Sequence, residues 1–237
     1  MLFLRNKTFN TYFNLLKTYF KNFVVFCYKI FSEVVIKMKD LLINSIMNNI
    51  MRYYDYDKEK IAVIKYGLTS LYLNISKTVV IFIISYILGY FNTLLILMVL
   101  YSILRLTVFG VHAKKSWHCW VGSTIIFIGV PYLCRLLIID YKVRLALCMV
   151  SVVLLGFFAP ADTEKRPLIN KKRRAIYKLT SVVCGTLYTV LLFFVNDNTL
   201  ANCLLFSLLL AVFVCLPITY KLFGVSYNNY LNYKKGE

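Results

Sequence analysis

Two histidines, His112 and His118, are the only ones in the 237 residues, and both stand within seven positions of Cys119. A histidine beside a cysteine can take the thiol proton and create the thiolate that acyl transfer needs. The competing explanation is a juxtamembrane loop with incidental polar residues, and spacing alone does not choose between them. Arg105, His112 and Cys119 follow one another at i, i+7 and i+14, so one continuous helix would line them up on a single face. The same helix would hold them apart. Seven residues rise ~10.5 Å, whereas a base and its nucleophile must approach to ~3–3.5 Å. A working dyad therefore requires a bend, for which Gly110 and the polar run Lys114, Lys115, Ser116 offer a place. His118, adjacent to Cys119, would point ~100° away on a helix, which favours His112 as the base and leaves His118 as a loop residue.

A second polar cluster runs through Pro160, Asp162, Glu164 and Pro167 into Lys171, Lys172, Arg173 and Arg174. It reads either as a proline-bounded loop with stop-transfer charges or as a basic cradle for an acidic ligand, since clustered cations attract carboxylates over about a Debye length. Carboxylate catalysis by Asp162 and Glu164 is disfavoured, because no second intramembrane carboxylate is available as a partner. The seven cysteines, Cys27, Cys119, Cys134, Cys148, Cys184, Cys203 and Cys215, are odd in number and contain no CxxC pair. They suggest neither zinc nor a disulfide framework but small apolar side chains within helices. No metal or cofactor is expected.

The elements that must position these residues are membrane helices. Hydrophobic residues make up 60% and charged ones 16%, against about 45–50% and about 25% in a soluble domain. Residues 78–104, 116–134, 145–161, 179–196 and 198–220 hold 27, 19, 17, 18 and 23 positions without a charge. A spanning helix needs about 20 mostly apolar residues, and only helices satisfy their own backbone in lipid over such runs. The net charge of +18 is read as basic flanks meeting anionic headgroups. No zinc-finger, RNA-recognition or helix-turn-helix signature supports nucleic-acid binding.

The expected fold is all-α: a polytopic integral membrane protein with four to six transmembrane or re-entrant helices and an N-terminal interfacial amphipathic helix. Residues 1–66 carry eleven basic and five acidic side chains, with apolar positions such as Phe9, Tyr12, Phe13, Leu16 and Phe20 at helical spacing. Residues 67–223 form the membrane-embedded part and 224–237 a C-terminal tail. Six segments are expected near 68–91, 92–109, 118–139, 143–160, 176–196 and 199–220, the second of which suits a re-entrant piece as well as a span. If all six cross, the loops at 110–117 and 161–178 share the side of the N-terminus, and their basic residues make it cytoplasmic. The loop near 135–144 would then lie outside with Arg135, Lys142 and Arg144, mildly against the rule.

Lys65-Tyr66-Gly67-Leu68, Arg105, the run Gly110-Val111-His112-Ala113, Ser116, Cys119 and the stretch from Ala159 to Pro167 together resemble the accessory gene regulator B (AgrB) family, in order from about residue 58 to the last span. The resemblance implies a membrane cysteine endopeptidase of Gram-positive bacteria, which trims the acidic C-terminal tail of an AgrD-like precursor peptide and promotes its cyclisation to a quorum-sensing autoinducer. It puts the catalytic pair on His112 and Cys119, a supporting or substrate-contacting role on Arg105 and Ser116, tail binding on Lys171, Lys172 and Arg173, and adjacent Arg174 extends that basic run. Phe109 departs from the family, which often has a second glycine there. The partners so implied are the precursor and membrane lipids, with a homodimer as an allowed assembly. The rival readings are a small transporter or peptide-binding membrane protein, which would carry polar groups near the midplane, and a structural subunit, which leaves the confluence of both histidines on Cys119 unexplained.

Overall fold

The computed structural model describes residues 29, 35–54, 56–111, 116–163 and 167–232, with backbone alone at 116–118 and 232. Their helices are α1 (Ile36–Tyr53), α2 (Lys58–Ile87), α3 (Phe91–Val108), α4 (Ser116–Leu136), α5 (Tyr141–Phe158), α6 (Lys171–Leu191), α7 (Asn198–Cys215), α8 (Pro217–Leu222) and α9 (Asn229–Asn232). Five are long and apolar enough to cross a membrane: α2, α3, the Cys119–Leu136 part of α4, α5 and α7. The polytopic all-α architecture read from the uncharged runs is the one observed. The amphipathic pattern that begins at Phe9 lies outside the described residues. α1 follows it and buries Ile43 and Met47, one helical turn apart, while Leu41, Leu42 and Ile46 stay exposed.

Several boundaries differ from the expected segments. α2 starts at Lys58 rather than near 68, with Glu59 in its first turn where a carboxylate suits the helix dipole. It ends where Gly89 turns the chain at φ 75°. α3 is 18 residues long and carries Arg105 in its last turn, because that cation is satisfied by the backbone that follows. α6 starts at Lys171, whose neighbour Asn170 caps the helix by accepting from the N–H groups of Lys172 (3.0 Å) and Arg173 (3.3 Å).

The described chain forms two compact units. One comprises residues up to Phe82 together with Trp120–Ile125. Val35, Trp120 and Val121 form its core, with Tyr72, Leu73 and Val80 packed against them. The other comprises Ile83–Cys119 and Ile126 onward. α7 is its centre, burying Ala201, Leu204, Leu205, Leu208 and Ala211 against α3, α5 and α6. Gly185 of α6 permits close approach, since a Cβ there would stand 3.1 Å from Val152 Cγ2. The Tyr188 hydroxyl ties α6 to α3 by donating to Leu100 O at 2.9 Å.

The two ends of this second unit are held by different polar sets. At one end Arg144 is buried, not the loop charge expected for it: its guanidinium donates to Ile139 O at 3.0 Å and to Asn198 Oδ1. Asn202 Nδ2 donates there to Cys134 O (2.9 Å) and Leu137 O (2.8 Å). At the other end the last turn of α7 meets the loops after α3 and α5. α6 therefore has to run from one end to the other. Its 21 residues rise ~31 Å, close to a hydrocarbon thickness of ~30 Å, although its first two turns are too basic for it to rank with the five apolar helices.

Candidate active site

The site is built around the sharp exit from α3. Phe109 takes φ 57°, ψ −129° and Gly110 takes φ 111°, both in the region that favours glycine. Arg105, one turn earlier, holds the bend. Its Nη1 donates to Phe109 O, and its Nη2 donates to Gly110 O at 3.3 Å and Val111 O at 3.1 Å. A cation at a helix C-terminus also complements the dipole. The bend is stitched to two other segments. Gly110 N donates to Ala161 O (2.8 Å), Ala161 N to Val108 O (3.0 Å), and Val111 N to Val214 O (3.0 Å). The single parallel bridge among the described residues, Phe109 with Ala161, belongs to this junction. The Phe109 ring meets Tyr177 edge-on at 4.9 Å.

His112 comes next in sequence and lies outside the described residues, as do Lys114, Lys115 and the side chains of Ser116 and His118. The chain resumes with α4 at Ser116, so Cys119 stands in that helix's first turn and is partly buried. α3 ends at Val108 and α4 starts at Ser116, so Arg105 and Cys119 stand on separate helices and the helix of Cys119 does not reach back to position 112. Tyr101, one turn before Arg105 on the same helix face, has Arg105, Cys215 and Cys119 as its ionisable neighbours. Sequence reasoning missed Tyr101, although its position four residues before Arg105 marks it as sharing that face.

The loop after α5 begins with a cis Ala159–Pro160 peptide and contains Asp162, 4% exposed. The Asp162 carboxylate accepts from the N–H groups of Asn229 (3.0 Å), Tyr230 (2.8 Å) and Leu168 (3.4 Å). Its carbonyl oxygen accepts from the Tyr220 hydroxyl at 2.7 Å. Burial, reinforced by the Asp162 charge, pushes the Tyr220 phenol above its ordinary range, so it stays protonated as that donor. Pro160 is buried and Pro167 half-buried, while Glu164 lies outside the described residues.

The basic residues that open α6 do not share one face. Successive helical positions turn ~100°, so four in a row cannot share a face. A cavity of about 390 Å³ is lined by Lys171 and Arg174 from that set and by Lys178, which sequence reasoning missed. Lys178 follows at i+7 from Lys171, the signal that could have found it. Lys172 and Arg173 are exposed and absent from the lining. Tyr227, Asn228 and Tyr230 line the same cavity, and the Arg174 guanidinium lies 3.1 Å from the Tyr230 ring centroid.

Comparison with known proteins bears directly on this arrangement. The family model of Accessory gene regulator B matches residues 43–215. A protein of Clostridium acetobutylicum named AgrB-like is 33% identical over 172 residues, covering 73% of this chain and 82% of the relative. AgrB-like proteins of Listeria monocytogenes (27% identity; 84% of this chain, 94% of the relative) and Lactiplantibacillus plantarum (26%; 77% and 89%) are also similar. No solved structure matches the chain. The match begins inside α1 and ends at the last residue of α7, so it takes in the Arg105 bend, Cys119 and the basic start of α6. This chain belongs to the accessory gene regulator B family and is a multi-pass membrane protein with a role in agr quorum sensing.

Proposed function

We propose that the protein is a cysteine endopeptidase of a Gram-positive cell membrane, with its site near the cytoplasmic face, and that it removes the acidic C-terminal tail of an AgrD-like precursor. The observation that carries this reading is the Arg105 clasp. It ends α3 before His112 by turning the chain through Gly110, and the helix that carries Cys119 starts only at Ser116, so no continuous helix holds residues 112 and 119 two turns apart. In the proposed reaction His112 takes the Cys119 thiol proton. The thiolate attacks the scissile carbonyl, and the tetrahedral adduct collapses as the imidazolium returns the proton to the departing amine. The tail leaves, and a thioester joins the remaining peptide to Cys119. A cysteine or serine within that peptide then attacks the thioester, freeing the Cys119 thiol and closing a thiolactone or lactone, provided the site excludes water.

Three further sets of residues take distinct parts. Arg105 holds the bend, Ser116 opens the helix that carries the nucleophile, and Lys171 and Arg174 at the start of α6 meet the tail carboxylates. Processing of a cognate precursor in proteoliposomes tests the assignment. Cys119→Ala should abolish it and His112→Ala should lower the rate by about 10²–10⁴, the usual contribution of a general base. His118→Ala, Cys134→Ala and Cys203→Ala should change it little. Equal losses for the two histidine variants would remove His112 as the base, and unchanged tail release by Cys119→Ala would remove the mechanism.

A further inference from the structure

We propose that the C-terminal segment of this chain completes the tail-binding pocket, so that an acidic peptide occupies the cavity that Tyr227, Asn228 and Tyr230 line together with Lys171, Arg174 and Lys178. The identity of the peptide rests on the peptidase reading; the pocket does not. The segment is fixed in place. The buried Asp162 carboxylate receives the N–H groups of Asn229 and Tyr230, Tyr227 packs edge-on against Tyr220 at 5.1 Å, and Tyr220 is buried and bonded to Asp162 O. Two aromatic rings thereby join the basic face of α6 in lining the cavity, the Tyr230 ring stacked on Arg174.

The cations suit carboxylates on an extended chain. Lys171, Arg174 and Lys178 stand at i, i+3 and i+7, so successive Cα atoms rise ~4.5 and ~6 Å along the helix, while alternate residues of an extended peptide are ~6.6 Å apart. Acidic residues at alternate positions would meet them in turn. Among the described residues no carboxylate forms an ion pair with any of the three, so their charge is not spent within the fold. A peptide is favoured over a lipid headgroup because the pocket wall continues through Pro160 to Ala161, whose backbone pairs with Gly110. A chain leaving the pocket along that wall reaches the bend that precedes His112.

Binding of a short fluorescent peptide with glutamate at alternate positions, measured on the full-length protein in phosphatidylcholine nanodiscs, tests this. Lys178→Gln should raise Kd about fivefold, and Tyr230→Ala about threefold through loss of the aromatic wall and its stacking on Arg174. Tyr230→Phe, Lys172→Gln and Arg173→Gln should each change it by less than about twofold. The helix-surface change Lys178→Gln leaves every described backbone contact in place, so its effect is read even if Tyr230→Ala disturbs the fold. Equal weakening by Lys172→Gln and Lys178→Gln would reduce the effect to diffuse surface charge and overturn the pocket. So would variants that bind the peptide normally while losing retention of phosphatidylglycerol. Cys119→Ala protein should bind the probe as the unaltered protein does. If Cys119 proves dispensable for cleavage, the peptidase reading falls and the pocket stands; if cleavage needs Cys119 but the pocket variants bind normally, the pocket alone falls.

Discussion

At Gly110 a side chain has no room. An added Cβ would stand 2.5 Å from both Arg105 Nη1 and Val214 O, and the backbone is held at φ 111°. Gly110→Ala should therefore strain the bend by about 1–3 kcal/mol and sharply reduce precursor processing, while circular dichroism of the membrane helices stays unchanged. Phe109 makes the complementary case. It holds φ 57° with a side chain present, at the position where the family often has glycine, and offsets this by packing on Tyr177. Phe109→Gly should leave processing within about twofold, because relief of a positive-φ cost of ~1 kcal/mol opposes the lost ring contact. Loss comparable to Gly110→Ala would show that the ring, not the backbone, sets the bend. Arg105 was legible in the sequence as a polar residue on the face of Cys119. That its work is done on carbonyl oxygens was not, because backbone acceptors leave no mark in a pattern of side chains.

Among the elements, the loop after α5 and the C-terminal segment behave as one piece joined at Asp162. A buried carboxylate that accepts three N–H groups is costly to weaken, since hydrogen bonds to a charged group contribute about 1.5–3 kcal/mol each. Asp162→Asn, which halves the acceptor capacity, should release residues 225–232 and make them sensitive to limited proteolysis in membranes, with α3 to α7 still protected. Protection equal to that of the unaltered protein would show that Tyr220 and the aromatic contacts suffice. The helices themselves were legible from charge-free runs, and the break at Gly89 from its glycine. Their ends were not. Lys58 and Lys171 begin helices that a hydropathy pattern starts about ten and five residues later, because a local cap or dipole decides the first turn. Arg144 was read as a loop cation because its acceptors are a backbone carbonyl, Ile139 O, and a side chain distant in sequence, Asn198.

For the whole molecule the decisive question is which parts share a membrane face. Contacts within the second unit place the loops at 109–111 and 161–162 at the same end as the last turn of α7, and Asn198 with Leu137 at the other. Single cysteines at Lys172 and Ser226, in a background without native thiols, should thus label from one side of the membrane and one at Asp197 from the opposite side. The proposed orientation makes the first side cytoplasmic. Labelling of Lys172 and Asp197 positions from the same side would mean that α6 does not cross. The crossing of α6 was legible from its charge-free run at 179–196, whereas its start among the basic residues at Lys171 was not. The chemistry at this face is tested by trapping the covalent intermediate. Purified full-length protein in nanodiscs, mixed briefly with its cognate precursor and quenched in acid, should gain the mass of the precursor lacking its tail. Peptide mapping should locate that mass on Cys119, and neutral hydroxylamine should remove it as expected of a thioester. Tail release at the normal rate with no hydroxylamine-sensitive adduct, or from Cys119→Ala protein, would contradict acyl transfer through this residue.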